Sequence, residues 1–371
     1  MQQILSSLGT LGMAQGAVKL VAEVNSKNII PVVVSLRWAT ILSSLIFGVL
    51  TFAISEPISK FIFNTDDFQF VVQILGLLLV FNSSNSMTIS FLNGQKKIRK
   101  WAYVNLVQVG MTLLIVSWGC LTFGTKGALV GFSIAHMVAF GINCIILRED
   151  GFIFLVKLRG LDWNVLRRSI GYSVFTLVSL ICVPLSIFFV RDAVLQQNGE
   201  IYAGYWQGVF FLCTAFQTLI TTALSVHYLP TISKEKNDLI TKREVRKTLT
   251  FAFFASLFGH FILYLLREPA VKIVYNSDFL PMVDLFLWQL VGNHFRICAW
   301  VYSYFLFARD QIGRLIFLEV LFSCSFVVLA NFFLNNHGLN GANLAFAVNN
   351  FLYLVIVFLL ARKLRVHSES R

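Results

Sequence analysis

Apolar residues run along this chain in blocks of twenty or more, with polar and charged positions gathered between them. Spanning ~30 Å of hydrocarbon takes about 20 residues of helix. Eleven stretches meet that length, at approximately 2–24, 32–54, 70–92, 101–122, 127–147, 170–190, 203–229, 248–266, 283–307, 313–333 and 341–361. Each is predicted to be a transmembrane helix, which makes the chain an all-α integral membrane protein.

Composition supports that class and removes others. Of the 371 residues 57% are hydrophobic and 13% charged, with 37 Phe, against about 25% charged and 45–50% apolar in a soluble domain. A soluble globule, a disordered chain, a coiled coil and a collagen are excluded. The formal net charge of +12 would suggest nucleic acid in a soluble protein, but here it follows from the loops. Sorted by alternate loops, 24 of the 30 Lys and Arg fall on one side of the membrane, among them Lys96, Lys97, Arg99, Lys100, Lys157, Arg159, Arg167, Arg168, Lys236, Lys242, Arg243, Arg246 and Lys247. The other side holds Lys60, Lys126, Arg191, Arg267 and Lys272, and Arg296 stands alone within a helix. The positive-inside rule makes the first set cytoplasmic, with the C-terminus inside. Cys120, Cys144, Cys182, Cys213, Cys298 and Cys324 are dispersed through apolar runs without a CxxC pair, so they read as small buried hydrophobes. No metal site and no cofactor is expected.

The chain repeats itself. Glu56-Pro57-x-x-Lys60-x-x-x-Asn64-x-Asp66 returns as Glu268-Pro269-x-x-Lys272-x-x-x-Asn276-x-Asp278, shifted by 212, and Gly127-Ala128-x-x-x-Phe132 returns as Gly341-Ala342-x-x-x-Phe346, shifted by 214. Two tandem copies of even span number would share one orientation, as in transporters built from parallel repeats. The helix at 170–190 has its partner before Met1 under that shift, so the first copy is expected to lack its first helix, giving 5+6 spans from a 6+6 plan. That also accounts for an outside N-terminus with no signal peptide, since Met1-Gln2-Gln3-Ile4 carries no basic lead. The expected organisation is an N-terminal bundle at 1–147, a cytoplasmic connection at 148–169, a C-terminal six-helix bundle at 170–361 and a cytoplasmic tail at 362–371.

Trp206-Gln207-Gly208-Val209, Ser225-Val226-x-Tyr228-Leu229-Pro230-Thr231-x-Ser233, Leu265-Leu266-Arg267, Asp284-Leu285-Phe286-x-Trp288-Gln289-Leu290-Val291-Gly292 and Glu319-Val320 resemble, in order and spacing, the O-antigen and enterobacterial common antigen (lipid III) flippases. These belong to the multidrug/oligosaccharidyl-lipid/polysaccharide exporter superfamily. The N-terminal copy is similar more weakly, best at Gly16-x-Val18-Lys19-x-Val21-Ala22, which resembles the family's second helix. The resemblance implies a MATE-like pair of helical bundles and alternating access through a cationic central cavity. It implies a polyprenyl (undecaprenyl) pyrophosphate-linked oligosaccharide as substrate, in the bacterial inner membrane. As partners it implies membrane lipids and the polymerase and chain-length regulator of the polysaccharide pathway. No nucleic acid is expected, and the protein is expected to be a monomer.

An ionisable side chain in mid-membrane is costly and is a functional candidate by default. Lys19, Arg296 and Arg37 are the candidate substrate-binding cations, although Lys19 sits five residues from a helix end and could snorkel, and Arg37 near its helix end could be an interface anchor. Arg296 is too deep for either, and a guanidinium suits a phosphate through paired hydrogen bonds. The resemblance places a basic residue at Arg296 and an acid at Glu319, which is the candidate for an ion pair or for coupling. His136, His227 and His260 read as packing residues rather than proton relays, and Pro184 as a structural kink. Two alternatives to a flippase remain: a cation-coupled multidrug exporter of the same fold, disfavoured because cationic drugs call for acids at depth, and a membrane glycosyltransferase or O-antigen polymerase. The last would need a sizeable loop with paired carboxylates or a metal site, and the longest loops are short and basic. Asp66-Asp67 reads as a helix cap.

Overall fold

A computed structural model describes residues 2–24, 29–63, 65–148, 161–235 and 237–369. Of the expected connection at 148–169, residues 149–160 with Lys157 and Arg159 lie outside the described residues, as do Asn64 of the first repeat and Lys236 among the loop cations. The described residues are built of helices: α1 (Gln2–Gly9), α2 (Ala14–Glu23), α3 (Ile29–Ala53), α4 (Ser55–Phe63), α5 (Gln69–Leu77), α6 (Leu79–Gly94), α7 (Ile98–Ile146), α8 (Trp163–Asn198), α9 (Glu200–Ala223), α10 (Leu229–Lys234), α11 (Asp238–Leu265), α12 (Arg267–Val274), α13 (Phe286–Ala308), α14 (Ile312–His337) and α15 (Asn340–Glu369). Seven are long and apolar enough to cross a membrane, and the bent pair α5 and α6 makes an eighth. The 49-residue α7 is two spans, because at Gly124 the backbone leaves the helix (φ 63°, ψ −146°) and the chain reverses. The arms touch at Gly119 and Gly127. The predicted first span is broken at Thr10–Met13 into α1 and α2, and the stretch at 283–307 is α13 preceded by a 3₁₀ turn over Ser277–Leu285; neither stretch is among the helices that are long and apolar enough to cross by themselves.

The chain divides into two compact units, Met1–Leu177 and Val178–Arg371, the division falling within α8. In the first unit α3 packs on α5 and α6, α2 on α6, and α6 on α7. A continuous polar chain ties α6 to both arms of α7: Asn143 Nδ2 donates to Asn85 Oδ1 (2.9 Å), Asn85 Nδ2 donates to Gln108 Oε1, and Gln108 Nε2 lies 3.1 Å from His136 Nε2. His136 Nδ1 is 2.8 Å from the Phe132 carbonyl, which can only accept, so Nδ1 carries the hydrogen and Nε2 receives the Gln108 amide. Such interhelical hydrogen bonds stabilise packing where lipid supplies no hydrophobic drive between helices. His136 is thus held by packing and hydrogen bonding, as its sequence setting suggested.

In the second unit α13 is the central element, packed on α15, α11 and α9. Trp206 and Phe210 of α9 meet Phe326 of α14 and Phe346 of α15, and Val209 and Cys213 meet Phe286 and Leu290 of α13. Leu114 and Leu121 in the first unit and Phe258 and Val328 in the second point outward, each more than half exposed. Large apolar patches of this kind would be an aggregation hazard in water and match a hydrocarbon surround.

The copies repeat in backbone as well as in sequence. Gly338 between α14 and α15 has φ 57° and ψ −148°, close to Gly124 and 214 positions later. Lys96 (φ 57°) before α7 and Asp310 (φ 59°) before α14 are also 214 apart and share the left-handed conformation. The break at Thr10–Met13 corresponds to the π-helical turn Leu224–Tyr228 that ends α9. Outside the spans, α4 and α12 carry the repeated Glu-Pro turns. Lys60 Nζ lies 2.6 Å from Glu56 Oε1 and 3.4 Å from Asp66 Oδ1; this bond holds the Glu56 carboxyl below its ordinary pKa and raises that of Lys60.

Candidate substrate site

Arg296 lies ten residues into α13, on the face that meets α15: Gly292, one turn earlier, abuts Phe346 and Ala347. The guanidinium carbon stands 5.5 Å from the Trp300 ring centroid and 5.9 Å from that of Phe346. Among the described residues no hydrogen bond and no direct ion pair engages the guanidinium, which is partly buried. The five donors face two aromatic rings, where a cation–π contact is worth about 0.5–2 kcal/mol. Glu319 of α14 interacts with Arg296 electrostatically rather than through direct contact, and lies beside Ser179 of α8. Tyr353 of α15 shares this group: its hydroxyl is 2.9 Å from Ser303 Oγ of α13, and its ring packs edge-on against Phe322 at 5.1 Å. Sequence reasoning missed Tyr353. Only its position seven residues after Phe346, on the same face of α15, pointed to it.

In the first unit Lys19 is fully buried. Its Nζ donates to the Tyr172 hydroxyl at 2.8 Å and lies 3.4 Å from Glu23 Oε1, and Glu23 Oε2 accepts from Arg168 Nη2 at 2.9 Å. A ladder thus runs from a fully buried ammonium on α2 to a half-exposed guanidinium on α8. Lys19 does not snorkel freely but is held at a fixed place by a phenol and a carboxylate. Arg37 of α3 is also buried, and two of its nitrogens donate to the Ser84 carbonyl and Thr88 Oγ1 at 2.8 Å each, with Phe91 under the guanidinium at 5.3 Å. It fastens α3 to α6. Of the three predicted cations, Arg296 is the one whose donors the described fold leaves unused.

Other candidates fall elsewhere. His260 of α11 lies against the rings of Phe216 and His294, and His294 Nδ1 is 2.8 Å from Ser256 Oγ. His227 is exposed in the π-helical turn. Among the described residues no group of three or more His, Cys, Asp or Glu converges to hold a metal.

The helical bundles with a broken first helix, hairpins closed by left-handed glycines and a basic group inside the apolar core define a multi-pass membrane protein of the MATE fold. Solved structures agree: an outward-facing multidrug resistance MATE family transporter of the MOP superfamily superposes with TM-score 0.85 at 14% identity, covering 100% of this chain and 86% of that one. A MOP superfamily transporter from Pyrococcus furiosus gives 0.87 at 11% identity, covering 98% and 85%. Residues 3–284 match the family model described as polysaccharide biosynthesis protein, so the chain belongs to that family. The lipid III flippases of Escherichia coli (strain K12) and Shigella flexneri are each 28% identical to it over 375 residues, covering 98% of this chain and 89% of the relative.

Proposed function

We propose that this protein is a flippase that carries a polyprenyl-pyrophosphate-linked oligosaccharide across the inner membrane, from cytoplasmic to periplasmic leaflet, for surface-polysaccharide assembly. The observation that carries the reading is Arg296: a guanidinium at mid-span with its hydrogen-bond fork uncommitted, in a chain similar throughout its length to lipid III flippases. A pyrophosphate offers acceptor oxygens that such a fork engages pairwise. In this account Arg296 and Lys19 are the cations that meet the substrate, and Glu319 and Tyr353 set the field around Arg296. Arg37 shapes the first bundle.

The protein is a transporter rather than an enzyme, its C-terminus is cytoplasmic by the charge of its loops, and 148–169 joins the two repeats. Polymerase and chain-length regulator would act on what it delivers. Outward movement of an anion gains about 2.3 kcal/mol per charge per 100 mV, so two charges gain roughly 4–5 kcal/mol from an inside-negative potential. An ion gradient is therefore not required. The fold is shared with multidrug exporters, but a cationic drug would have to approach an uncommitted arginine.

Purified protein in liposomes is expected to move a pyrophosphate-linked oligosaccharide lipid between leaflets, faster with the acceptor leaflet positive, and to leave a cationic dye gradient untouched. Protein-dependent dye efflux without lipid movement would overturn the reading in favour of an exporter.

A further inference from the structure

On the side of α13 away from Arg296 the second unit holds an apolar cavity of about 420 Å³ between α11, α13 and α15. Its walls include Phe253 and Phe254 from α11, Cys298 and Tyr302 from α13, and Val355 and Phe358 from α15. The volume is that of a small-ligand pocket, yet almost nothing polar faces into it. α11 and α15 are long and apolar enough to cross a membrane, and the lining residues Phe254 (62% exposed), Phe253 and Phe358 are exposed on the surface of the unit, so in a bilayer the cavity faces lipid.

Two features of its position select the occupant. Along α13 the cavity runs from His294 to Tyr302, about 12 Å of helix, and Arg296 lies within that stretch, about 160° around the axis from Cys298 at 100° per residue. The cavity also lies toward the basic end of each helix, the end marked by Lys247 on α11, Arg309 after α13, and Arg362 and Lys363 on α15. It therefore extends from the level of the uncommitted guanidinium toward the leaflet from which the proposed substrate departs.

We infer that this cavity holds the polyprenyl tail of the substrate while its pyrophosphate is at the level of Arg296. The inference rests on the flippase reading and adds a tail site to it. A branched isoprenoid chain fits an opening walled by aromatic rings and small branched side chains, and needs no polar contact there. Holding the tail beside α13 keeps the lipid from leaving sideways during the slow transit of its glycan.

The test compares two pyrophosphate-linked oligosaccharide lipids, one with a long polyprenyl tail and one with a geranyl tail, in liposomes containing the full chain or its Val355→Trp variant. Val355 lines the cavity and is 37% exposed, so the added ring fills the cavity without entering the core. The variant is expected to move the long-tailed lipid roughly tenfold more slowly, the effect of losing about two buried methylenes, and the geranyl lipid within about twofold of wild type. Equal loss for both lipids, or loss for neither, overturns the inference. Failure of the wild type to move either lipid overturns the flippase reading instead. A diazirine-bearing polyprenyl phosphate gives a second readout that does not depend on the variant. It is expected to label Cys298-containing peptides in competition with unlabelled polyprenyl phosphate but not with excess phosphatidylglycerol. Competition by phosphatidylglycerol assigns the cavity to bilayer lipid and overturns the inference.

Discussion

Replacing Arg296 by alanine separates transport from folding more sharply than any other single change. Among the described residues the guanidinium faces the rings of Trp300 and Phe346, at 5.5 and 5.9 Å, and feels Glu319 at longer range. Its removal forfeits about 0.5–2 kcal/mol of cation–π energy, while it also relieves the cost of keeping a charge at mid-membrane, so the unfolding temperature in detergent should barely move. Binding of a pyrophosphate through two charge-assisted hydrogen bonds, each worth about 1.5–3 kcal/mol, would lose about 3–6 kcal/mol. That corresponds to a fall in translocation rate of at least a hundredfold. Arg296→Lys keeps the charge but offers a point donor in place of a fork, and should fall roughly tenfold. The assay is leaflet exchange of a pyrophosphate-linked oligosaccharide lipid in liposomes, normalised to inserted protein. Alanine transport within twofold of wild type would refute the role given to Arg296, and a large drop in unfolding temperature would mean that the residue is structural.

Arg37→Ala should behave in the opposite way. It removes the bonds to the Ser84 carbonyl and Thr88, costs about 3–6 kcal/mol in thermal unfolding, and leaves transport per folded molecule near wild type. Tyr172→Phe removes the hydroxyl 2.8 Å from Lys19 Nζ; it should destabilise the protein by about 1.5–3 kcal/mol, and Lys19→Met in the same background should recover part of that loss, read by the same thermal assay. Gly124→Ala and Gly338→Ala each place a Cβ on a left-handed residue, and each should cost about 1–2 kcal/mol. Similar losses at the two positions are expected from the repeat; a loss at one only would count against it.

Most of the spans and the repeat at an offset of 212–214 were legible because they depend on local quantities. A membrane span is a run of apolar residues, and a repeat is a run of identities at fixed offset. The shift of 214 that links Gly127 to Gly341 in sequence links the backbone angles of Gly124 to Gly338 and of Lys96 to Asp310 in structure. The break at Thr10–Met13 was not legible, since Gly12-x-x-x-Gly16 reads equally as a helix-packing motif; the left-handed angles of Leu11 and Gly12 decide it. Side-chain partners across helices were hidden for a related reason. Tyr172 meets Lys19 across 153 residues, and Asn143 meets Asn85 across 58, pairings fixed by the rotation of each helix about its axis, which periodicity leaves open to within a turn. Arg37 looked like an interface anchor because its distance from the helix end is visible in sequence, whereas the carbonyl of Ser84 that accepts from it is not.

The central claim is that the cargo is a lipid-linked oligosaccharide, and the most direct measurement is made in cells lacking the gene. Pyrophosphate-linked oligosaccharide lipids are extracted and quantified, with and without expression of this 371-residue chain from a plasmid. The account predicts that the glycolipid builds up on the cytoplasmic side in the deletion strain, that the chain clears it, and that Arg296→Ala does not. A deletion strain with unchanged glycolipid, or clearance by Arg296→Ala equal to wild type, would contradict it.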